Sequence, residues 1–450
     1  MRIASLVRLA PSKLKPFVKQ AATSPLLRRI GGGIYWSLIG TVAIRFASLV
    51  NSVIIARQLG IEDFGRYGIV QSTLGTIGFF AGLGMGLVTT KYIAELITTD
   101  RDRASRIFSL TFIASAVSGL GGAIMFFIAA PWISRSMLGD PSLEHLLRLT
   151  TPLIALGTLN GVQTAALSGF QAFRTIAKIN ILVAILMIPT LTLGALVGGL
   201  AGVCIGLVII NSASCLVTHI ALSREARRTQ LQFSLRGALD ERKLIYHFAL
   251  PALLAGALVE PVHWYCATII TNQPNGFREI GAYYAAMQWG NALMFLPSVF
   301  GQVIFPVLSE AFARHDRAKV SKLLTGAMFA NGLISVVFLL GLGASSQLIM
   351  GLYGGQVAKH WLTFIIVIGT AGIVAVQTPV GLVIAAANRM WIGLVLNLGW
   401  ALALVTFTHL LADRGSLGLA GARAGAYALH AIWTIGYAFH VVRLLRGRHG

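Results

Sequence analysis

Apolar residues fall in long runs separated by short charged segments, and this punctuation predicts the elements directly. The runs cover 34-56, 67-90, 107-132, 147-169, 176-196, 199-221, 245-270, 281-305, 323-349, 361-386, 391-411 and 419-442. A helix rises about 1.5 Å per residue, so each run reaches across roughly 30 Å of hydrocarbon. Barrel strands would show runs of about ten residues alternating apolar and polar, and none is present. The expectation is an all-α polytopic membrane protein with about twelve transmembrane helices.

Composition agrees. Mean hydropathy is +0.76 and only 11% of residues are charged, outside the range of a water-facing domain. The net charge of +21 raises nucleic acid as a partner, but the basic residues lie between apolar runs, which excludes it and makes membrane lipid the contact. With the N-terminus cytoplasmic, about 27 of the 36 Lys and Arg fall on that side, among them Arg101, Arg103, Arg106, Arg224, Arg227, Arg228, Arg242 and Lys243. This bias places both termini in the cytoplasm. Residues 1-33 read as a basic tail on anionic lipid. Cys204, Cys215 and Cys266 all sit in apolar runs and read as packing residues.

The chain repeats itself. Phe64-Gly65-Arg66-Tyr67 matches Ile280-Gly281-Ala282-Tyr283, and Asp102-Arg103-Ala104 matches Asp316-Arg317-Ala318. Arg174 and Asn180 match Arg389 and Asn397, and Gly199-Leu200-Ala201-Gly202 matches Gly418-Leu419-Ala420-Gly421, at offsets drifting from 214 to 219. Two six-helix bundles are expected, over 34-221 and 245-442, joined by a cytoplasmic linker over 222-244 and followed by a short basic tail over 443-450. Six is even, so both copies insert the same way and are related by a pseudo-two-fold axis along the membrane normal, with a cleft between them.

Arg45 lies mid-span, too deep to snorkel, and must face the bundle interior or a wet cavity. It is the one cation read as deep. Ser37, Thr41, Arg45, Ser48 and Ser52 share one helical face. Glu260 is the one acid well inside a span, near the repeat equivalent of Arg45, and is placed to neutralise it when the cleft is empty. Pro251 and Pro261 should weaken the seventh helix, whose polar face His263 extends. Tyr284, Gln288 and Asn291 form a stripe on the eighth. Small polar residues also glue membrane helices together, so each stripe has a packing reading as well. Lys91, Arg174 and Arg389 lie at cytoplasmic helix ends, as weak candidates for mouth cations or as ordinary topology signals.

No loop exceeds about 25 residues, and the sequence shows no phosphate loop, paired catalytic carboxylates or metal-spaced histidines. No cofactor, metal or catalysis is expected. Ala56 to Gly68, ARQLGIEDFGRYG, resembles the segment after the first span of Wzx-type polysaccharide-biosynthesis flippases, in the superfamily that includes multidrug and toxin extrusion proteins. The resemblance in span count, duplicated halves and basic N-terminus covers nearly the whole chain. It implies an inner-membrane transporter that flips an undecaprenyl-diphosphate-linked oligosaccharide by alternating access for surface polysaccharide synthesis. Arg45 would then hold the diphosphate, and polymerase or export machinery would be nearby. A cation-coupled drug antiporter of the same fold is the alternative, with Glu260 as ion carrier. A membrane glycosyltransferase or polymerase would need a larger outer loop.

Overall fold

The computed structural model describes residues 25–231, 233–234, 237–249, 253, 256–387 and 389–445. Among the described residues there is no strand, and the α-helices are α1 (Pro25–Ala81), α2 (Met85–Leu96), α3 (Arg101–Trp132), α4 (Leu143–Thr150), α5 (Pro152–Gly169), α6 (Phe173–Thr229), α7 (Val259–Thr271), α8 (Gly276–Leu293), α9 (Phe295–Ala313), α10 (Arg317–Ala344), α11 (Ser346–Leu352), α12 (Gly355–Ala358), α13 (Trp361–Ala386), α14 (Met390–Leu411) and α15 (Gly415–Leu444).

Among the described residues six stretches are long and apolar enough to cross a membrane, and three of them, Tyr35–Ala81, Phe173–Thr229 and Met390–Leu444, are 47 to 57 residues long. Straight, each would be at least about 70 Å, more than twice the hydrocarbon thickness. Each is broken near its middle. Gly60 (φ 83°, ψ 168°) divides α1, and Gly198 with Gly199 (φ 54°, ψ −136°) divides α6. The 3-10 turn Ala412–Arg414 with Gly415 (φ 56°, ψ −129°) parts α14 from α15. Counted with these breaks, the helices are consistent with twelve crossings.

The break glycines also correct the alignment of the repeat. Gly199 and Gly415 have nearly the same backbone angles, so Gly199 is the equivalent of Gly415 and not of Gly418. Gly418 corresponds to Gly202: a Cβ on Gly202 would overlap the Gly194 carbonyl, and one on Gly418 the Leu411 carbonyl. Asp100 likewise replaces Asp102 as the partner of Asp316. Asp100 accepts from the Arg103 amide and Asp316 from the Lys319 amide, each at 2.9 Å, as N-caps of α3 and α10. The offset is 216 for all three of these pairs, and the drift to 219 came from matching letters instead of turns.

Within each half the same pairs pack: third passage on fourth (α3 on α5; α10 on α13), fourth on sixth (α5 on α6; α13 on α15), and first on fifth (α1 on α6; α7 on α14). The halves meet chiefly where α1 crosses α8. A Cβ on Gly65 would overlap the Phe277 carbonyl, and one on Gly281 the Ile61 carbonyl. Each glycine thus faces the carbonyl four residues upstream of the other, the reciprocal contact a two-fold axis generates.

Three departures from the expected spans have local causes. The second passage starts at 61 and is interrupted by Leu83 and Gly84, both at positive φ, before α2. The seventh is not one helix over 245-270 but a π-helical turn Ile245–Ala249 followed by α7 from Val259. Pro261 therefore sits in the first turn of α7, where no amide partner is needed, and does not weaken a helix interior; Pro251 lies outside the described residues. The sixth continues as helix to Thr229.

Buried residues form one continuous core drawn from both halves at the end opposite the termini, including Ile55, Phe64, Tyr353 and Phe364. At the terminal end the cores separate, one around Leu308 and Val320, the other around Phe108 and Leu167. Ala249 against Met85, Val88 and Ile107 bridges the halves there. Among the described residues the halves are sealed together at one end and carry separate cores at the other, apart from the Ala249 bridge.

Candidate substrate cleft

Arg45 leaves the first passage and reaches the other half. Its Nη1 donates to the Asn291 carbonyl oxygen of α8 at 2.8 Å, and the guanidinium lies 5.8 Å from the centre of the Phe295 ring. It makes no ion pair with Glu260, so the neutralised pair expected from the repeat is not formed. Glu260, in the first turn of α7, is exposed and has no hydrogen bond or ion pair among the described residues. The step of 215 to 216 residues that relates the halves carries Arg45 onto Glu260 or Pro261, so opposite charges stand at near-equivalent positions in the two copies.

The polar face of the first passage divides. Ser48 turns back to its own helix, its Oγ donating to the Ile44 carbonyl at 2.9 Å. Ser52 faces the seal: its Oγ lies 2.9 Å from the buried Tyr353 hydroxyl, which also accepts from Trp289 Nε1 at 3.2 Å. Tyr353 thereby ties the first and eighth passages together. Nearby, Arg57 Nε donates to the Leu352 carbonyl at 2.6 Å, and Asn272 Nδ2 donates to the Met137 carbonyl at 2.7 Å.

The seal has two ionic corners. Arg66 pairs with Glu62, Asp63 and Asp140 at 2.8 to 3.0 Å. Burial by itself would raise the Asp140 carboxyl, but hydrogen bonds from Ser142 and Arg66 outweigh it and hold the group below the usual carboxylate range. In the other half, Glu279 accepts from the Ser416 amide at 2.8 Å and stands 3.7 Å from His360 Nδ1. Burial lowers the His360 imidazole below its ordinary value despite Glu279.

The remaining candidates scatter. Tyr284 packs its ring against Gly68, where a Cβ would overlap it, with its hydroxyl directed to Ser72. Gln288 is half-buried and makes no side-chain hydrogen bond among the described residues. His263 stands edge-on to Trp400, ring centres 5.3 Å apart, with Nε2 unpartnered. Lys91, Arg174 and Arg389 are exposed; Lys91 lies over Tyr92 and Arg174 over Trp36, at 5.0 and 5.2 Å. Arg389 precedes α14. None of these three joins Arg45.

A second deep cation was not foreseen. Arg423, two turns into α15, donates to the Tyr283 hydroxyl at 3.1 Å and to the Met287 sulfur, with its guanidinium 5.6 Å from the Tyr427 ring centre. Around it, Gln377 donates to the Tyr427 carbonyl at 2.9 Å and its Oε1 lies 2.8 Å from His430 Nδ1, which makes Nδ1 the protonated nitrogen and leaves Nε2 bare. A cavity of about 310 Å³ adjoins this cluster. Arg423 reads as a span end when the helix is started at 419; starting it at Gly415 would have placed it inside.

Two helical halves that repeat the same packing and share one core at one end define a polytopic membrane transporter fold. A solved inward-facing multidrug transporter of the MATE family and MOP superfamily shares it, with a TM-score of 0.77 at 16% identity over 92% of this chain and all of that one. The family model described as "Polysaccharide biosynthesis protein" matches residues 30–312, and the chain belongs to that family. Among curated relatives, the EPS I polysaccharide export inner membrane protein EpsE of Ralstonia nicotianae is 22% identical over 78% of this chain and 79% of its own length. The lipid III flippase of Escherichia coli K12 is 23% identical over 62% and 67% respectively.

Proposed function

We propose that this protein flips a lipid-linked oligosaccharide, of the undecaprenyl-diphosphate type, across a bacterial inner membrane by alternating access. Both termini and the 222-244 connection lie in the cytoplasm, the bundles comprise 34-221 and 245-442, and the sealed end faces the periplasm. Family membership, the polysaccharide-export and lipid III relatives and the two-bundle fold support this reading. The observation that carries the site is Arg45, held between the halves below the seal by one hydrogen bond to a backbone carbonyl. A diphosphate offers such a guanidinium two charged oxygens in place of that neutral acceptor, so substrate can displace it.

The conformation described, with separate cores at the terminal end, is the one we assign to loading from the cytoplasm. Rocking the halves about the axis would break the seal and expose the cleft to the periplasm. Glu260, with no hydrogen bond or ion pair among the described residues, is the group we assign to taking up a proton or metal cation during the cycle. The same residue supports the second reading, a cation-coupled antiporter.

Polysaccharide export in a strain lacking its own copy tests the assignment. Arg45→Ala should abolish export and Arg45→Lys recover only part of it, at equal membrane levels of protein. Full export by Arg45→Ala would remove the diphosphate site.

A further inference from the structure

Glycines in membrane helices commonly mark close helix contacts, because a Cβ would clash there. Gly65, Gly119, Gly202 and Gly281 behave so. Gly75 and Gly78 in the second passage and Gly157 and Gly161 in the fourth do not: a Cβ at any of them meets nothing within 4 Å. These four line one cavity of about 530 Å³ inside the first half, walled by the second, third, fourth and sixth passages. Their bare backbone is not needed for packing, and its effect is to keep the space open.

The other lining groups say what the space suits. Ser115 is 1% exposed, lines the cavity, and its hydroxyl has no partner among the described residues. Asn211 gives its Nδ2 to the Leu207 carbonyl at 2.8 Å, and Gln71 its Nε2 to the Tyr67 hydroxyl at 3.4 Å. The amide oxygens of both have no hydrogen bond among the described residues. The wall thus offers uncharged acceptors and two hydroxyls, of which Thr158 already donates to the Ala155 carbonyl at 2.9 Å, with no ionisable side chain. A hydrocarbon tail would leave Ser115, Asn211 and Gln71 unsatisfied, and a phosphate would find no cation. A neutral ring bearing several hydroxyls satisfies them, and glycine walls let it lie flat against backbone.

We propose that this cavity receives a neutral sugar of the transported head group, while the diphosphate stays at Arg45. The assignment rests on the flippase reading above. The second passage, which forms one wall, is also the helix that crosses α8 at Gly65, so the cavity adjoins the seam between the halves.

Binding by the purified full chain in nanodiscs tests it, with two probes: undecaprenyl diphosphate, and the same lipid carrying a neutral disaccharide of hexoses. The unsubstituted protein should bind the sugar-bearing lipid about tenfold more tightly, the worth of one or two well-made hydrogen bonds. Gly78→Leu and Gly157→Leu should remove that difference while leaving affinity for undecaprenyl diphosphate unchanged. Gly78→Ala, Gly157→Ala and Ser115→Ala should reduce it in part. The two glycine-to-alanine variants should melt at the same temperature as the parent or higher, since alanine favours helix and meets no neighbour. A purely structural role predicts the reverse, lower melting with the sugar preference intact. Equal affinity of the unsubstituted protein for both probes, or variants that lose both equally, overturns the sugar site. If neither probe binds, the transport reading itself falls.

Discussion

Arg57 donates to the carbonyl oxygen of Leu352, and the 215-residue step between the halves turns that bond into the one Asn272 makes with Met137. The seal is made of the same contact twice, once on each side of the axis, with Tyr353 clamped between Ser52 and Trp289 beside it.

Loosening the seal should favour the periplasm-open form. With Cys204, Cys215 and Cys266 replaced by serine, Ala56→Cys offers a thiol at a position 1% exposed beneath the seal. Tyr353→Phe or Arg57→Ala in that background should accelerate labelling by a membrane-impermeant maleimide added outside intact cells. Unchanged labelling would mean that these bonds do not hold the seal, and labelling only from the inner face would reverse the assigned orientation.

Gly65→Ala should be costly even though one methyl is added. The new Cβ runs into the Phe277 carbonyl, which is backbone and cannot step aside, so overpacking of about 1 to 3 kcal/mol is expected. Thermal unfolding in detergent measures it, with Gly75→Ala, whose Cβ meets open space, as the neutral control. Equal melting of the two variants would contradict the crossing.

Glu260→Gln keeps the shape and removes the charge. Export should lose its dependence on external pH or cation gradient while substrate binding persists. A variant that exports with the parent's pH profile would remove the coupling role and leave the anion site untouched.

His360 should make stability depend on pH. Its imidazole is lowered by burial, so the folded protein prefers it neutral. The stabilisation is complete above the unfolded value of about 6.5 and is lost as pH falls through the lower folded value. Melting temperature should therefore drop on acidification from pH 7, and His360→Gln should flatten that drop. Parallel curves for the two proteins would place the titration elsewhere.

Hydropathy made the membrane spans legible because lipid imposes one rule on every helix, and the duplication was legible because charged junctions punctuate both halves alike. Arg45 and Glu260 stood out as ions in apolar runs. Arg423 did not, because a helix start four residues early is invisible to hydropathy when Gly415 to Ala422 is itself apolar and small. The seal was hidden for another reason. Its two repeat-related bonds run from side chains to backbone carbonyls, which every residue carries, so nothing in the letters Met137 or Leu352 distinguishes an acceptor. Matching the repeat by identity misplaced Asp102 and Gly418, whereas capping and positive φ place Asp100 and Gly415.

A closure held by a single fastening would let either half swivel about it, and partial states would grade into one another. Here Arg57 with Leu352 and Asn272 with Met137 are equal fastenings on opposite sides of the axis. Turning about one stretches the other, so neither can serve as a pivot. The two are obliged to let go together, which gives the closure the character of a snap clasp: shut or open, with little standing room between.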